Sequence, residues 1–419
     1  MALSSAMSTI TMRIRPSIWL LAVVLALPAT LHAVELTGRL SLLGTAARAS
    51  QGDIGHLNAG GKLLTADQQS LRLMLDDIRS SGEWSVHLRT VRQNFVRYPA
   101  GNLHSSDLHS SDLFRYRKLS GDWQNDVSIN RTTRSGYEID RAVYKQRFDQ
   151  MTVAIGRQPI DWGSGRFWQP LNVFGAFAPT DLDTDFKPGI DAAAFDWYPS
   201  AFSSLTAVYV PAPFNQSAIA DSGVVYYRRQ AGESSEISLL AGTVLGKGMI
   251  GGSFESEWHG IGWRVEGLRY RTTRNAVFWI AGIDYQFEDG TLIAAEWYDN
   301  SAGAGSEALL AGMQGDQRVV YGLQQHSGRR VLGLAVEKDM TPLLHGGYTL
   351  LVSALENSSR KLATSLLHQF SLTYSVSNES DFLVSLLLAN GKGVNQQGNP
   401  QSEFGHLPAG MTMRLRFYF

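Results

Sequence analysis

The chain has 419 residues, with 37 Lys and Arg against 38 Asp and Glu, a formal charge of −1, and no cysteine. That balance gives no electrostatic ground for a nucleic-acid partner, and the missing cysteine removes disulfides and thiolate metal sites. Past residue 33 no stretch approaches the roughly 18 consecutive apolar residues that mark a membrane helix.

Residues 1–33 read as a cleaved export signal. Arg13 and Arg15 form a basic start, Ile18 to Leu27 is a short apolar core broken by Pro28, and Ala33 ends a cleavage site. The apolar run is too short to cross a bilayer comfortably, so export is preferred to a membrane anchor. Removing it leaves 386 residues and moves the formal charge to about −3.

From residue 35 onward apolar and polar residues alternate in short runs, the period of a strand with two different faces. Glu35 to Ala46 sends Leu36, Leu40 and Leu42 one way and Glu35, Thr37, Arg39 and Ser41 the other. Ser70 to Ile78 sets Leu71, Leu73 and Leu75 against Arg72, Met74 and Asp76. After a tight connection at Arg79–Gly82, Trp84, Val86 and Leu88 oppose Ser85, His87 and Arg89. The polar stretch Gln93 to Gly136 reads as an external loop. Within it Leu103–Asp107 is repeated as Leu108–Asp112, and His104 and His109, five apart on an irregular loop, are poor evidence for a metal site. Tyr137 to Phe148 places Ala142, Tyr144 and Phe148 opposite Arg141, Lys145 and Arg147. Met151, Val153 and Ile155 then share a face that strict alternation extends to Arg157, which calls for a bulge at Gly156 or an interfacial Arg157.

Gly156 to Asp191 breaks the pattern. It begins Gly-Arg-Gln-Pro-Ile-Asp-Trp-Gly-Ser-Gly-Arg-Phe-Trp-Gln-Pro and later reads Thr-Asp-Leu-Asp-Thr-Asp-Phe-Lys-Pro-Gly-Ile-Asp. It resembles a Gly-Arg-Gln…Trp-Gly-x-Gly…Trp-x-Pro pattern of porin-like proteobacterial outer-membrane proteins, and the resemblance implies a class, not a mechanism. A segment bearing Trp162, Phe167 and Trp168 is too apolar to hang in water. We therefore expect a loop at 161–190 folded into a barrel lumen, with Asp161, Arg166, Asp181, Asp183, Asp185 and Lys187 lining a constriction. The alternative is a cap with its tryptophans at the outer interface. Asp181, Asp183 and Asp185 have the alternate spacing of a calcium loop. Phe186 replaces the required Gly and Ala192 the bidentate Glu, so no metal is expected.

Gly246 to Gly251 matches a dinucleotide fingerprint by letter but lacks its strand–turn–helix unit, and reads as a turn. Ala276–Phe287 and Thr291–Tyr298 form a hairpin around Glu288-Asp289-Gly290, with Asp284, Gln286 and Glu296 inward. Leu366–Val376, Phe382–Ala389 and Met411–Phe419 follow, with a polar external loop at Gly391–Pro408. In the last run Met411, Met413, Leu415, Phe417 and Phe419 alternate with Thr412, Arg414, Arg416 and Tyr418. This end resembles the closing strand of a Gram-negative outer-membrane β-barrel. The resemblance implies that Leu415, Phe417 and Phe419 face lipid and are read by the barrel-assembly machinery, while Arg414 and Arg416 face a wet lumen.

The expected fold is all-β: one transmembrane antiparallel barrel at 34–419, of 16 to 18 strands, with short periplasmic turns and long external loops. The expected function is a porin-like outer-membrane channel for small hydrophilic solutes, selecting by width and charge, with no cofactor and no catalytic residue. A barrel for export, surface assembly or adhesion is the alternative, and an outer-membrane enzyme a third. There is no Gly-x-Ser-x-Gly elbow, His-Glu-x-x-His or P-loop. Arg39, Arg72, His87, Arg89, Arg141, Lys145, Arg147, Arg414 and Arg416 fall on adjoining strands of the closed wall, with Glu266, Asp284 and Glu296 across from them. That layout predicts a transverse field favouring dipolar or anionic solutes. Expected partners are outer-membrane lipids and lipopolysaccharide, the assembly machinery and the solute. The sequence does not fix an oligomeric state.

Overall fold

A computed structural model describes residues 34–50, 52–53, 63–96, 113–117, 119, 124–128, 131–214, 218–271, 274–313 and 322–419. The export signal at 1–33 and the repeat at 103–112 lie outside the described residues.

Among the described residues the strands are β1 (Val34–Arg48), β2 (Leu63–Ile78), β3 (Gly82–Val96), β4 (Gln124–Ser128), β5 (Arg131–Phe148), β6 (Met151–Gln158) and β7 (Ile190–Ser200). Then come β8 (Ser203–Val210), β9 (Ser222–Gln230), β10 (Glu236–Val244), β11 (Lys247–Trp258), β12 (Ile261–Arg271) and β13 (Asn275–Gln286). The last are β14 (Leu292–Asn300), β15 (Arg330–Thr341), β16 (Leu344–Glu356), β17 (Leu362–Ser377), β18 (Ser380–Asn390) and β19 (Ala409–Tyr418). Eighteen of them close a barrel in which each strand bonds its sequence neighbour and β19 bonds β1. β4 is the extra one: it pairs only with the first residues of β5, which pair with β3 on their other edge.

Period-two alternation decides which side chains face out. Ile155, Leu239, Ile250, Ile283, Phe370 and Phe417 are exposed on the outer face, while Arg39, Arg72, Glu266 and Glu296 are buried inside. A soluble protein does not present so wide an apolar belt to water, and a closed ladder leaves no edge unpaired in hydrocarbon. One end of the barrel has two-residue connections at Asp149–Gln150, Ala201–Phe202, His259–Gly260, Pro342–Leu343 and Asn378–Glu379. The other carries long loops, including 159–189, 301–329 and 391–408.

Several expectations are corrected. Only the start of the fingerprint-like stretch is turn: Leu245 and Gly246 have φ of 50° and 75°, the left-handed pair of a two-residue hairpin, and Lys247 to Gly251 belong to β11. β3 runs to Val96 and β5 starts at Arg131, so the external loop is shorter than its polarity suggested. Where water lies on both sides of a strand, the alternation fades. At Arg157 there is neither a bulge nor an interfacial side chain. Gly156 and Arg157 pair in unbroken register with Ala192 and Asp191. The Arg157 guanidinium is buried, donating to Asp191 at 2.7 Å and to the carbonyls of Ile139 and Arg117 at 2.8 and 2.6 Å. The bulge lies instead on β5, where Asp140 is skipped between the pairs Leu88–Ile139 and His87–Arg141.

The apolar core sits inside the barrel. Phe167, Trp168, Leu171, Val173 and Phe174 of the 159–189 loop pack with inward residues of the wall, among them Tyr226, Leu240, Leu268, Phe278, Ile280 and Tyr298.

Candidate functional site

The site is the 159–189 loop and the wall it meets. Gly163 has a φ of +101°, and a Cβ on Gly165 would stand 1.7 Å from the Trp168 carbonyl oxygen, so this turn is closed to larger residues. The tight backbone aims a row of amides at two wall carboxylates. Glu266 on β12 accepts from the Ser164 and Leu171 N–H groups, both at 2.6 Å. Glu296 on β14 accepts from Arg166 at 2.9 Å, Phe167 at 3.1 Å and Trp168 at 2.9 Å. Relative exposures of 0 % and 1 % leave these carboxylates to the loop rather than to water. Amides bonded to buried carboxylates are among the stronger hydrogen bonds in a protein. Trp162 completes the seat by stacking on Tyr226, ring centroids 4.9 Å apart.

Trp168 also ties three loops together. Its indole N–H, which can only donate, bonds His326 Nε2 at 2.9 Å. That leaves His326 Nδ1 to donate to Glu403 Oε1 at 3.1 Å, so the imidazole is neutral with its proton on Nδ1. Glu403 also accepts from the Ser327 and Gly328 amides at 3.1 and 2.6 Å. The expected polar loop at 391–408 therefore places Glu403 and Phe404 in the interior, against 301–329.

The return limb, from residue 180, crosses to the opposite wall. Gln369 on β17 donates to the Thr180 carbonyl at 3.1 Å. Arg39 on β1 bonds Asp183 at 2.7 Å and Asp185 at 2.8 Å. Arg416 and the Tyr418 hydroxyl, both on β19, bond Asp185 at 2.6 and 2.5 Å. Burial opposes the Asp185 charge, but Tyr418, Arg416 and Arg39 together keep its carboxyl below the ordinary value. The Phe186 ring lies under two guanidiniums, Arg72 at 4.2 Å and Arg39 at 4.8 Å. Lys187 then turns back to the start of the loop, bonding Asp161 at 2.6 Å and Asn172 at 2.7 Å. Burial pushes the Lys187 ammonium down to about 8, against the pull of Asp161.

The expected charges are thus brought together, but not as bare lining. Arg72 pairs with Asp140 at 2.5 Å, Arg89 with Glu138 at 3.3 Å and Arg414 with Asp381 at 3.5 Å. Lys145 and Arg147 share Glu83, and Arg166 reaches Glu337 at 2.8 Å. His87 is buried beside Asp76 at 3.2 Å. Arg39, Arg72 and Arg414 are buried rather than open to a wet lumen, because the loop and its carboxylates cover them. Of the eight arginines and lysines expected to line the pore, Arg141 forms no ion pair among the described residues. The acidic side is also corrected: Glu266 and Glu296 are spent on loop amides, and Asp284 pairs with Arg264.

Water reaches the charged flank rather than the aromatic one. Asp183, Asp185 and Asp76 keep about a quarter of their side-chain surface exposed, whereas Trp168 and Leu171 keep none. Toward the short turns a cavity of about 340 Å³ opens between Glu83, Arg147, Thr152, Asp161, Trp162 and Asp196. Glu337, His326 and Glu403 escaped the sequence reading, since each acts on a partner more than 70 residues away.

No protein-family model and no curated protein matches the chain. Its fold is that of solved outer-membrane porins. A BenF-like porin from Pseudomonas fluorescens Pf-5 superposes with a TM-score of 0.57 at 10 % identity, covering 92 % of this chain and 98 % of that one. OccAB4 from Acinetobacter baumannii gives 0.56 at 8 %, covering 93 % and 99 %. OccK2 (OpdF) from Pseudomonas aeruginosa, solved in complex with glucuronate, gives 0.56 at 9 %, covering 92 % and 98 %.

Proposed function

We propose that the chain is an outer-membrane channel for passive diffusion of small polar solutes, with a preference for those bearing a carboxylate. The observation that carries this reading is the division of the lumen. The loop is sealed against β12–β15 by apolar contacts and by Glu266 and Glu296, while its other limb stays partly wet against β1, β2 and β19. A solute is thereby confined to the charged flank, where Lys145 and Arg147 keep 38 % and 41 % of their side chains exposed and act by charge at close range. Arg141, inward and half-buried beside His87, supplies cationic charge that no described carboxylate cancels. A barrel of the same fold is solved in complex with glucuronate, which supports taking a carboxylate as the solute's charge. In this reading residues 1–33 direct export, and Asp161, Arg166, Asp181, Asp183, Asp185 and Lys187 set the constriction. Proteoliposome swelling with glucuronate and with glucose, alongside planar-bilayer conductance, tests it. Faster glucuronate entry is expected; a purified, folded barrel that never conducts would overturn the channel reading.

A further inference from the structure

The outer face of β12 to β15 carries an arginine patch that the lumen does not use. Leu268 and Tyr270 are buried inward, so the alternating Arg269 and Arg271 point out of the barrel, and both are exposed. Arg269 stands in register between Ile250 on β11 and Val277 on β13, both exposed apolar residues of the outer face. Arg274, past the end of β12, is exposed as well. On the next strands Trp279 pairs in register with Asp299, and Asp299 with Arg330. Arg329 and Arg330 bond Asp299 at 3.1 and 3.0 Å, yet keep 43 % and 55 % of their side chains exposed. Arg269 and Arg330 lie three strand spacings apart, about 14 Å.

All of these residues lie at the long-loop end, where the apolar belt meets the headgroup layer. A guanidinium set between Ile250 and Val277 is costly in hydrocarbon and favourable against an anion. The planar fork fits a phosphate through two parallel N–H bonds; among the described residues no carboxylate pairs with Arg269 or Arg271, and Asp299 alone does not neutralise both Arg329 and Arg330. We propose that this patch binds the phosphates of a lipid headgroup in the leaflet on the long-loop side. The lipid is favoured over free phosphate because the arginines continue the apolar face, so acyl chains can lie along Ile250, Val277 and Trp279 while the phosphates meet Arg269, Arg271 and Arg330. This inference rests on the outer-membrane reading of the barrel.

The test uses the whole purified barrel in detergent, with lipid A bisphosphate as the probe and native mass spectrometry as the readout. Replacing Arg269, Arg271 and Arg330 by Gln should weaken binding about tenfold or more, and dephosphorylated lipid A should bind the wild type as weakly. The same change at Arg228 and Arg229, exposed at the short-turn end, serves as control and should leave binding unchanged. Equal binding by the triple variant, or an equal loss in the control, overturns the proposal. Displacement of the lipid by millimolar inorganic phosphate overturns it in favour of a free-anion site. Conductance of the triple variant is recorded in parallel. A variant that conducts normally but loses the lipid supports this inference, while a barrel that binds lipid and never conducts sinks only the channel reading.

Discussion

Replacing Glu296 with Ala removes the acceptor for three consecutive backbone N–H groups, those of Arg166, Phe167 and Trp168. With the loop still seated, each orphaned buried donor costs about 1–3 kcal/mol, so the seated state loses roughly 3–9 kcal/mol. Even the lower figure shifts the ratio of seated to displaced loop by about a hundredfold. Glu296→Gln should be milder, because its amide oxygen can still accept from Phe167 and Trp168 and only Arg166 meets an NH₂ group. Single-channel recording reads the effect as larger mean conductance and frequent open-level noise in the order wild type, Gln, Ala. Heat-modifiable migration on gels confirms that the barrel itself is folded. A folded Glu296→Ala barrel with wild-type conductance and solute cut-off would show that the two wall carboxylates do not hold the constriction.

Three further outcomes are expected. Replacing Phe417 and Phe419 with Ser removes lipid-facing surface worth about 1.5–3 kcal/mol per side chain, and should lower the amount of heat-modifiable protein in the outer membrane; unchanged surface levels refute the terminal assembly signal. Arg141→Glu should move the reversal potential toward cations in an asymmetric salt gradient, more than Arg147→Glu does, because Arg147 already shares Glu83 with Lys145. The difference should fade as salt shortens the screening length to about 3 Å at 1 M, and equal shifts at low salt would refute it. Lys187 loses its charge near pH 8, well below the usual lysine value, so anion preference should fall as pH passes through 8. The folded barrel holds this proton less tightly than the unfolded chain does, so this group's contribution to stability rises between about pH 8 and 10.4; a Lys187→Met barrel should lose both effects, and a persisting titration would implicate another group.

The wall was legible in the sequence because lipid outside and polar groups inside write a period of two, visible at Leu71-Arg72-Leu73 and at Arg414-Leu415-Arg416. Wherever both faces meet the same medium that signal vanishes, so the end of β3 and the start of β5 carry the composition of a loop. The aromatic content of residues 162–168 was enough to expect a lumen position, but not to find its anchors. Glu266 and Glu296 looked like free acidic wall, since nothing local marks a carboxylate whose partners are backbone amides about 95–130 residues away. The carboxylates that meet Arg39 and Arg416 lie 144 and 231 residues away, so the basic flank read as more open than it is. Asp140 was missed as a bulge because one skipped residue leaves no mark in composition.

Asp185 has a consequence for the order in which the barrel is made. Seventeen of the eighteen wall seams join neighbours in sequence, whereas β1 and β19 meet across about 380 residues. Closing a flexible loop of that length costs about 5 kcal/mol of chain entropy, more than any seam between sequence neighbours does. One carboxylate straddles it, held by Arg39 on the first strand and by Arg416 and Tyr418 on the last. The loop tip is a clasp over the join, and it can fasten only once both edges are in place. The return limb of the loop is thus fixed across the seam by Asp185, while its aromatic limb is fixed on β12 and β14 by Glu266 and Glu296.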